Sequence, residues 1–339
     1  MDQKYTVLQV GLGPMGQLIA KLLLKRQNIN FKGVVDINPE FAYKKLSSII
    51  DEDSDLIVSS NFEELLSQET PDISIIATSS SLEKVAPLIK QAIVYGSNVI
   101  SLCEELSYPY KKFPDLSEDL DSLARSSEVS ILGTGINPGY LMDVLPIIMT
   151  APCQKVDSIK VTRMMNSGKR REPFQRKIGT GLSIEQFKEK ISKKAITGHV
   201  GLEQSIQMIC AALGFSYDEI KESMPEAVIA EEDFITSYGE KVLKGNVRGL
   251  QSKARAIHNN DEIVSLDFFA YTGEHEEYDS IEIKGVPNIF QKIIGGIHGD
   301  IGTAAMVVNS IPKVINAPSG LITMKDISLP CYAANIWKV

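Results

Sequence analysis

Cysteine is scarce in this chain: Cys103, Cys153, Cys210 and Cys331 are the only four in 339 residues, and no two form a C-x-x-C pair. That usage argues against a disulfide scaffold and fits a reducing compartment. Histidine is as sparse. His199, His258, His275 and His298 match no H-E-x-x-H or comparable spacing, so no dedicated metal site is expected. Eighteen apolar residues never run together, which removes a transmembrane helix. Met1-Asp2-Gln3-Lys4 leads directly into a strand-like run, without an apolar leader or cleavage site. Basic charge is in deficit too, with 35 Lys plus Arg against 43 Asp plus Glu and a net charge of -8. Nucleic-acid binders usually carry a basic footprint, so that class is set aside, while a small anionic ligand is not. A cytoplasmic protein with neither membrane nor nucleic acid as partner is expected.

At roughly 150 residues per domain, the length suggests two domains. Such a chain buries roughly three-quarters of its unfolded surface and needs no covalent staples. The first 150 residues alternate strand-like and helical patterns. Tyr5 to Val10, Phe31 to Asp36, Asp72 to Thr78, Asn98 to Leu102 and Val129 to Leu132 read as strands. Pro14 to Lys25 and Leu82 to Tyr95 read as helices, the second stopping at Gly96. This alternation predicts an α/β first domain with a doubly wound parallel sheet.

From about residue 151 to 298 the pattern changes. Ser158 to Met165, Leu250 to His258, Ile263 to Tyr271 and Ser280 to Lys284 read as longer strands, the middle pair joined by a tight Asn259-Asn260-Asp261 turn. Ser183 with Gln186 forms a capping box, and a helix from Val200 to Leu213 stops at Gly214. An α+β second domain on an antiparallel sheet follows. After Pro287 the chain reads as helical again, and 299–339 is expected to pack back on the first domain.

Gly11-Leu12-Gly13-Pro14-Met15-Gly16 follows the first strand and opens the first helix. In this Rossmann-type context Gly11 permits the tight turn, Gly13 lets the backbone approach a pyrophosphate, and Gly16 lets helix and strand pack closely. The helix N-terminus, opened by Pro14, offers N–H groups from Met15 onward to the phosphates. Asp36, twenty residues beyond Gly16, is placed to accept from the ribose hydroxyls and to repel a 2′-phosphate, favouring NAD over NADP. Thr78, Ser79 and Ser80 end a further parallel strand and line the same cofactor; helix capping by Ser80 or Ser81 is the structural alternative.

Ile100 to Leu106 (I-S-L-C-E-E-L) brings two adjacent carboxylates to the next strand end. Hydride loss from an amine leaves a cationic iminium, which a carboxylate stabilises; an alkoxide would be destabilised by the same group. Such a carboxylate also accepts a proton from the substrate ammonium or the attacking water. Side chains alternate along a strand, so one of the pair faces the cleft. Glu104 is assigned that role, the alternative being that both only cap the following helix. Tyr108 and Lys112 have Y-x-x-x-K spacing, but they follow the wrong strand and enclose Pro109.

Four segments in this order carry a resemblance: Gly11 to Gly16, Cys103 to Pro109 (C-E-E-L-S-Y-P), Gly133 to Gly139 (G-T-G-I-N-P-G) and Gly198 to Glu203 (G-H-V-G-L-E). Together the chain resembles the 2,4-diaminopentanoate dehydrogenases and native amine dehydrogenases, whose architecture is similar to that of dihydrodipicolinate reductase. The E-H-H-H-x-K motif of the true reductases is absent. The resemblance implies reversible NAD(P)-dependent deamination at C4 of 2,4-diaminopentanoate, giving 2-amino-4-oxopentanoate and ammonia in ornithine breakdown, by a homodimer. It implies Glu104 as the catalytic carboxylate, Asn137 beside nicotinamide and substrate, and some NADP use.

A substrate carboxylate needs a cation, and 160–199 holds eleven Lys or Arg against three acids, a local charge of +8. Arg163 is the candidate for a fork-like contact, with Asn166 orienting the amino group. His199, one position before a helix, is a neutral hydrogen-bonding candidate, its alternative being a backbone-satisfied helix-start residue. Competing readings are a broader amine dehydrogenase or imine reductase on other short ketones, and a dinucleotide-sensing regulator without chemistry.

Overall fold

The computed structural model describes residues 4–170, 172–273 and 276–333; Arg171, His275 and the last six residues of the 299–339 segment lie outside them. The chain divides into two units, one holding the residues up to Tyr140 and those from His298 onward, the other Leu141–Ile297.

The first unit begins β1 (Tyr5–Val10), α1 (Pro14–Leu24), β2 (Ile29–Val35), β3 (Val58–Ser59), α2 (Phe62–Gln68), β4 (Ile73–Ile76) and α3 (Leu82–Val94). It continues through β5 (Asn98–Ser101), α4 (Pro114–Ser126) and β6 (Ser130–Gly133). The second unit runs α5 (Val144–Met149), β7 (Lys155–Asn166), α6 (Glu172–Lys177), α7 (Ile184–Ser192) and α8 (Leu202–Leu213). Then come β8 (Glu219–Glu222), β9 (Glu226–Ile229), β10 (Phe234–Ile235), β11 (Lys241–Val242), β12 (Val247–His258), β13 (Asp261–Tyr271), β14 (Tyr278–Val286) and β15 (Ile289–Ile294). The chain re-enters the first unit as α9 (Gly299–Ile315) and β16 (Gly320–Ile322).

The first sheet has the order β16-β6-β5-β4-β1-β2-β3, and every pair in it is parallel. The order reverses between β1 and β4, which opens a crevice beyond their carboxyl ends where ligands of such sheets bind. Helices cover both faces, so strands are buried on both sides: all four residues of β4 are buried, Ser74 included. Each Ile or Val fully buried contributes about 1.5–3 kcal/mol, so this burial outweighs the short four-residue ladder. Helix α9 packs beside α1, and β16 extends the sheet past β6.

The second sheet runs β15-β14-β7-β13-β12-β8, with β9 also on β12. It is mixed rather than wholly antiparallel, because β7 lies parallel to β13. More than ninety residues separate the ends of these strands, ample for the crossover that a parallel pair requires. The β12–β13 hairpin pairs His258 with Asp261 across Asn259 and Asn260, both at positive φ as a two-residue turn demands. The stretch after Pro287, expected to be helical, is instead strand β15. Gly285 donates to the Asn288 side chain at 2.9 Å to reverse the chain, and I-F-Q-K-I-I is rich in β-branched and aromatic residues. Helix α5 goes with this unit, packing on α8, while Asp143 just before it accepts from Ser205 at 2.8 Å. No helix among the described residues is long and apolar enough to cross a membrane.

Candidate active site

The glycine loop is fixed by backbone contact. Gly11 has φ +101°, and a Cβ there would lie 2.4 Å from the Ala77 carbonyl oxygen; at Gly16 a Cβ would lie 2.1 Å from the Gly11 carbonyl oxygen. At Gly13 a Cβ would meet nothing within 4 Å, so the backbone faces open space. Pro14 occupies the first turn of α1, with Met15 next, and the Gly13 cap supplies no side-chain acceptor. The N-terminal amides of α1 are thus presented to an incoming anion. Sequence reasoning missed Gln9, whose buried amide donates 2.8 Å bonds to the carbonyls of Gly11 and Gly16. Its signal was a lone polar residue inside an apolar strand.

Asp36 leaves the end of β2 with its carboxylate held on both sides. Oδ2 accepts from the Leu12 N–H at 2.6 Å and Oδ1 from the Asn38 N–H at 2.8 Å. A cleft of about 420 Å³ opens there, lined by Gly11, Asp36, Thr78 and Ser79 among others. The loop geometry, helix terminus and acidic wall fit the phosphates and adenosine of a dinucleotide. Ser80 contributes its carbonyl, which accepts from the Cys103 thiol at 3.1 Å. Burial pushes that thiol up to about 12, so it stays protonated.

Glu104 and Glu105 do not lie on the strand. β5 ends at Ser101, and Glu104–Leu106 form a single 3₁₀ turn. Alternation along a strand therefore does not sort the two carboxylates. Glu105 Oε2 accepts from the Leu82 N–H at 2.8 Å, capping α3, while its other oxygen pairs with Lys112 at 2.7 Å. Neither Ser80 nor Ser81 caps this helix through its side chain. Lys112 is thereby engaged with Glu105, and Tyr108 packs edge-on against Tyr110 at 5.0 Å. Glu104 is half-buried at the start of the turn. The turn presses on the next strand end, where a Cβ on Gly133 would come 2.6 Å from the Leu106 backbone. That approach seats the G-T-G-I-N-P-G loop against the glutamate turn. Gly139, φ +128°, closes the loop onto the Gly135 backbone, and half-buried Asn137 sits between them in sequence.

In the second unit Arg163 is 3% exposed and lies opposite Asp279 across the β7–β14 ladder. Its Nε stands 3.7 Å from Asp279, its Nη2 donates to the Ile297 carbonyl at 2.5 Å, and Nη1 is buried without a partner among the described residues. Asp279 in turn accepts from the Ile297 N–H at 2.8 Å. Burial lowers the Arg163 pKa against the opposing pull of Asp279, and burial raises that of Asp279 against Arg163. A bidentate fork toward substrate is therefore not open, because the Nε and Nη2 edges already face protein; Nη1 is the one donor in reserve.

Asn166 ends β7, but its side-chain oxygen caps the following turn by accepting from the Gly168 N–H at 2.9 Å. Its carbonyl oxygen thus has a structural duty the sequence did not reveal. His199 lies in a loop, not beside a helix start: α8 begins at Leu202, with Gly201 as its cap at φ +108°. The imidazole stacks on Phe268, ring centres 4.5 Å apart. Burial, then the positive charges of Arg163 and Lys177, depress its pKa to about 3, so the ring is neutral near pH 7. The fold thus gathers Arg163, Lys177 and His199 in one electrostatic neighbourhood. In the sequence Lys177 is one of the eleven basic residues of 160–199, with nothing to single it out.

The family model for the C-terminal domain of 2,4-diaminopentanoate dehydrogenase matches residues 140–337. The chain is 35% identical over 341 aligned positions to the 2,4-diaminopentanoate dehydrogenase of Acetoanaerobium sticklandii, covering 97% of this chain and 94% of that protein. Its fold is shared by an amine dehydrogenase from Mycobacterium smegmatis, with TM-score 0.83, 22% identity and 97% of each chain covered. A dipicolinate-bound dihydrodipicolinate reductase from Paenisporosarcina sp. TG-14 is more distant, with TM-score 0.54, 12% identity, and 95% of this chain and 99% of that one covered. By its family match over more than half its length and its likeness to a relative over nearly all of it, this chain is an oxidoreductase that belongs to the 2,4-diaminopentanoate dehydrogenase family.

Proposed function

We propose that this chain deaminates 2,4-diaminopentanoate oxidatively at C4, with NAD as the preferred and NADP as a second cofactor. Substrate, water and oxidised cofactor give 2-amino-4-oxopentanoate, ammonia, reduced cofactor and a proton. A nicotinamide dinucleotide, when bound, supplies the hydride acceptor. Gly11, Gly13 and Gly16, with Pro14 opening the helix and Met15 offering its N–H, would hold its phosphates, Asp36 its adenosine ribose, and Thr78, Ser79 and Ser80 its path along the strand ends.

Glu104 removes a proton from the C4 ammonium and releases it to solvent, which leaves a neutral amine and restores the carboxylate. It then stabilises the iminium: opposite charges at 4 Å attract by roughly 4 kcal/mol at an effective dielectric of 20. It next takes a proton from the water that attacks C4 and returns one to the leaving nitrogen. Asn137 orients the reacting nitrogen. Arg163 through Nη1, His199 as a neutral partner and Asn166 at the strand end serve the substrate carboxylate and 2-amino group. The observation that supports the assignment to Glu104 is that Glu105 caps α3 and pairs with Lys112.

Mixing protein, 2,4-diaminopentanoate and NAD, then NADP, and following absorbance of the reduced cofactor tests the reading. Turnover that Glu104→Gln lowers by about 10²–10⁴ is expected, the usual span of general-base catalysis. No turnover with either cofactor, in protein that binds both, rejects it. Rates on 4-oxopentanoate plus ammonia, with and without a 2-amino group, separate this enzyme from a broader amine dehydrogenase.

The same reading makes the chain a cytoplasmic homodimer of amino-acid breakdown. Phe290 and Ile294, 66% and 89% exposed on edge strand β15, support a protein partner there. Sedimentation at a monomer mass would refute the dimer.

A further inference from the structure

Lys84 has no part in the chemistry above, yet it stands on the wall of the adenosine-side cleft. Asp36 and Ile37 come from the end of β2, Ser60 and Asn61 from the loop after β3, and Lys84 and Gln91 from α3. Of all the residues lining this cleft, Asp36 and Lys84 are the two that carry charge. Lys84 is exposed, and among the described residues it has no carboxylate partner. Lys90, on the same helix, is tied to Asp119. Lys84 is also the third residue of α3, in a first turn where the helix dipole already favours anions over cations. Glu83 and the capping carboxylate of Glu105 share that turn, but of the three charged groups Lys84 is the one that lines the cleft, where it offers a cation to an anionic ligand.

Asp36 cannot turn away from that ligand, since N–H groups of Leu12 and Asn38 hold both its oxygens. It retains lone pairs for a ribose hydroxyl but repels a phosphate on the same carbon. We infer that Lys84 receives the 2′-phosphate of NADP, so that Asp36 on one wall and Lys84 on the other jointly set the cofactor ratio. The inference rests on the dinucleotide reading above and deepens it. A phosphate ester carries close to two negative charges at pH 7. The lysine stem is long and flexible and delivers a point charge without the fixed geometry of a guanidinium. The phosphate therefore lies away from Asp36, toward α3, while the unphosphorylated ribose hydrogen-bonds to Asp36.

Calorimetric titration of the full-length protein with NAD and with NADP tests this without requiring turnover. Lys84→Gln is expected to lower the NADP-to-NAD affinity ratio about tenfold, or ~1.4 kcal/mol. Lys84→Arg should largely keep the ratio, and Asp36→Asn should raise it. The extra salt sensitivity of NADP over NAD binding should shrink in Lys84→Gln. An unchanged ratio in Lys84→Gln, or equal losses for both cofactors, overturns the inference while leaving the dinucleotide reading intact. Failure of the unaltered protein to bind either cofactor overturns the dinucleotide reading itself.

Discussion

The two units prepare for their ligands by different physics. In the first, the cofactor cradle is backbone: Gly11 and Gly16 sit where a Cβ would come within 2.4 and 2.1 Å of carbonyl oxygens, and Gln9 stitches the loop through two further carbonyls. In the second, the candidate substrate residues Arg163 and His199 are buried or half-buried, and charge sets their state: Arg163 faces Asp279, and Arg163 with exposed Lys177 disfavours protonation of His199. Steric fit of the first kind is indifferent to salt and pH. Electrostatic balance of the second kind depends on every partner being present and correctly protonated. The comparison teaches that the same substitution logic should fail differently in the two units.

The largest effect belongs to the second unit. Asp279→Ala leaves the Arg163 guanidinium buried without its counter-charge, and breaking such a pair costs about 3–5 kcal/mol. Replacing both partners, Arg163→Met with Asp279→Leu, should recover most of that loss, because two apolar groups need no partner. Urea unfolding of the single and double variants measures both. No recovery in the double variant would mean that packing, not charge balance, governs the clip. In the first unit, Gly16→Ala forces a methyl group against the Gly11 carbonyl, an overpacking worth about 1–3 kcal/mol with loss of NAD binding. No side-chain change elsewhere should rescue it, since the clash is with backbone. A second-site side-chain suppressor that restored NAD affinity would erase the distinction between the units.

A smaller effect concerns protons. The folded pKa of His199 lies near 3, below the ordinary 6.5. Between these values the unfolded chain binds a proton that the folded chain does not, so stability is lost as pH falls from about 6.5 toward 3. Asp279, whose pKa is raised, titrates with the opposite sign, and the same contribution is present in a His199→Gln variant. Subtracting the melting curves of the two proteins across pH 6.5 to 4 isolates the histidine. The unaltered protein should lose stability faster; parallel curves would show that His199 titrates normally in the fold.

How much of this was legible in the sequence follows the same division. Gly11 and Gly16 were readable from their spacing, because a glycine forced by φ or by a 2 Å approach has no substitute, while Gln9, which ties the same loop, was not. The parallel sheet was readable because short, mostly apolar strands alternate with helical patterns. Less was legible in the second unit. Arg163 was found as a cation, but its commitment to Asp279 depends on a strand more than a hundred residues away. Asn166 looked like a substrate ligand because a cap and a ligand use the same amide chemistry. His199 was found, but its loop position depends on a glycine cap that delays α8 by two residues relative to the periodicity. Strand β15 was missed because six residues of mixed polarity fit either period until their partner strand is known.

The adjacent carboxylates of the first unit provide the finest test, because one sequence motif there serves both physics. Glu105 acts structurally: it caps α3 from twenty-three residues away and neutralises Lys112. Losing a charged cap costs about 1 kcal/mol, so Glu105→Gln should lower the unfolding midpoint slightly. A glutamine retains a carbonyl oxygen able to accept from the Leu82 N–H, which keeps part of the cap; Glu105→Ala should cost more. In both variants the fall in kcat should be far smaller than in Glu104→Gln, whose stability should in turn change little. Thermal melting beside single-turnover rates for the three variants separates the roles. If Glu105→Gln lost turnover as fully as Glu104→Gln while remaining folded, the 3₁₀ turn would have to be treated as one acid–base unit, and the division between a capping and a reacting carboxylate would collapse.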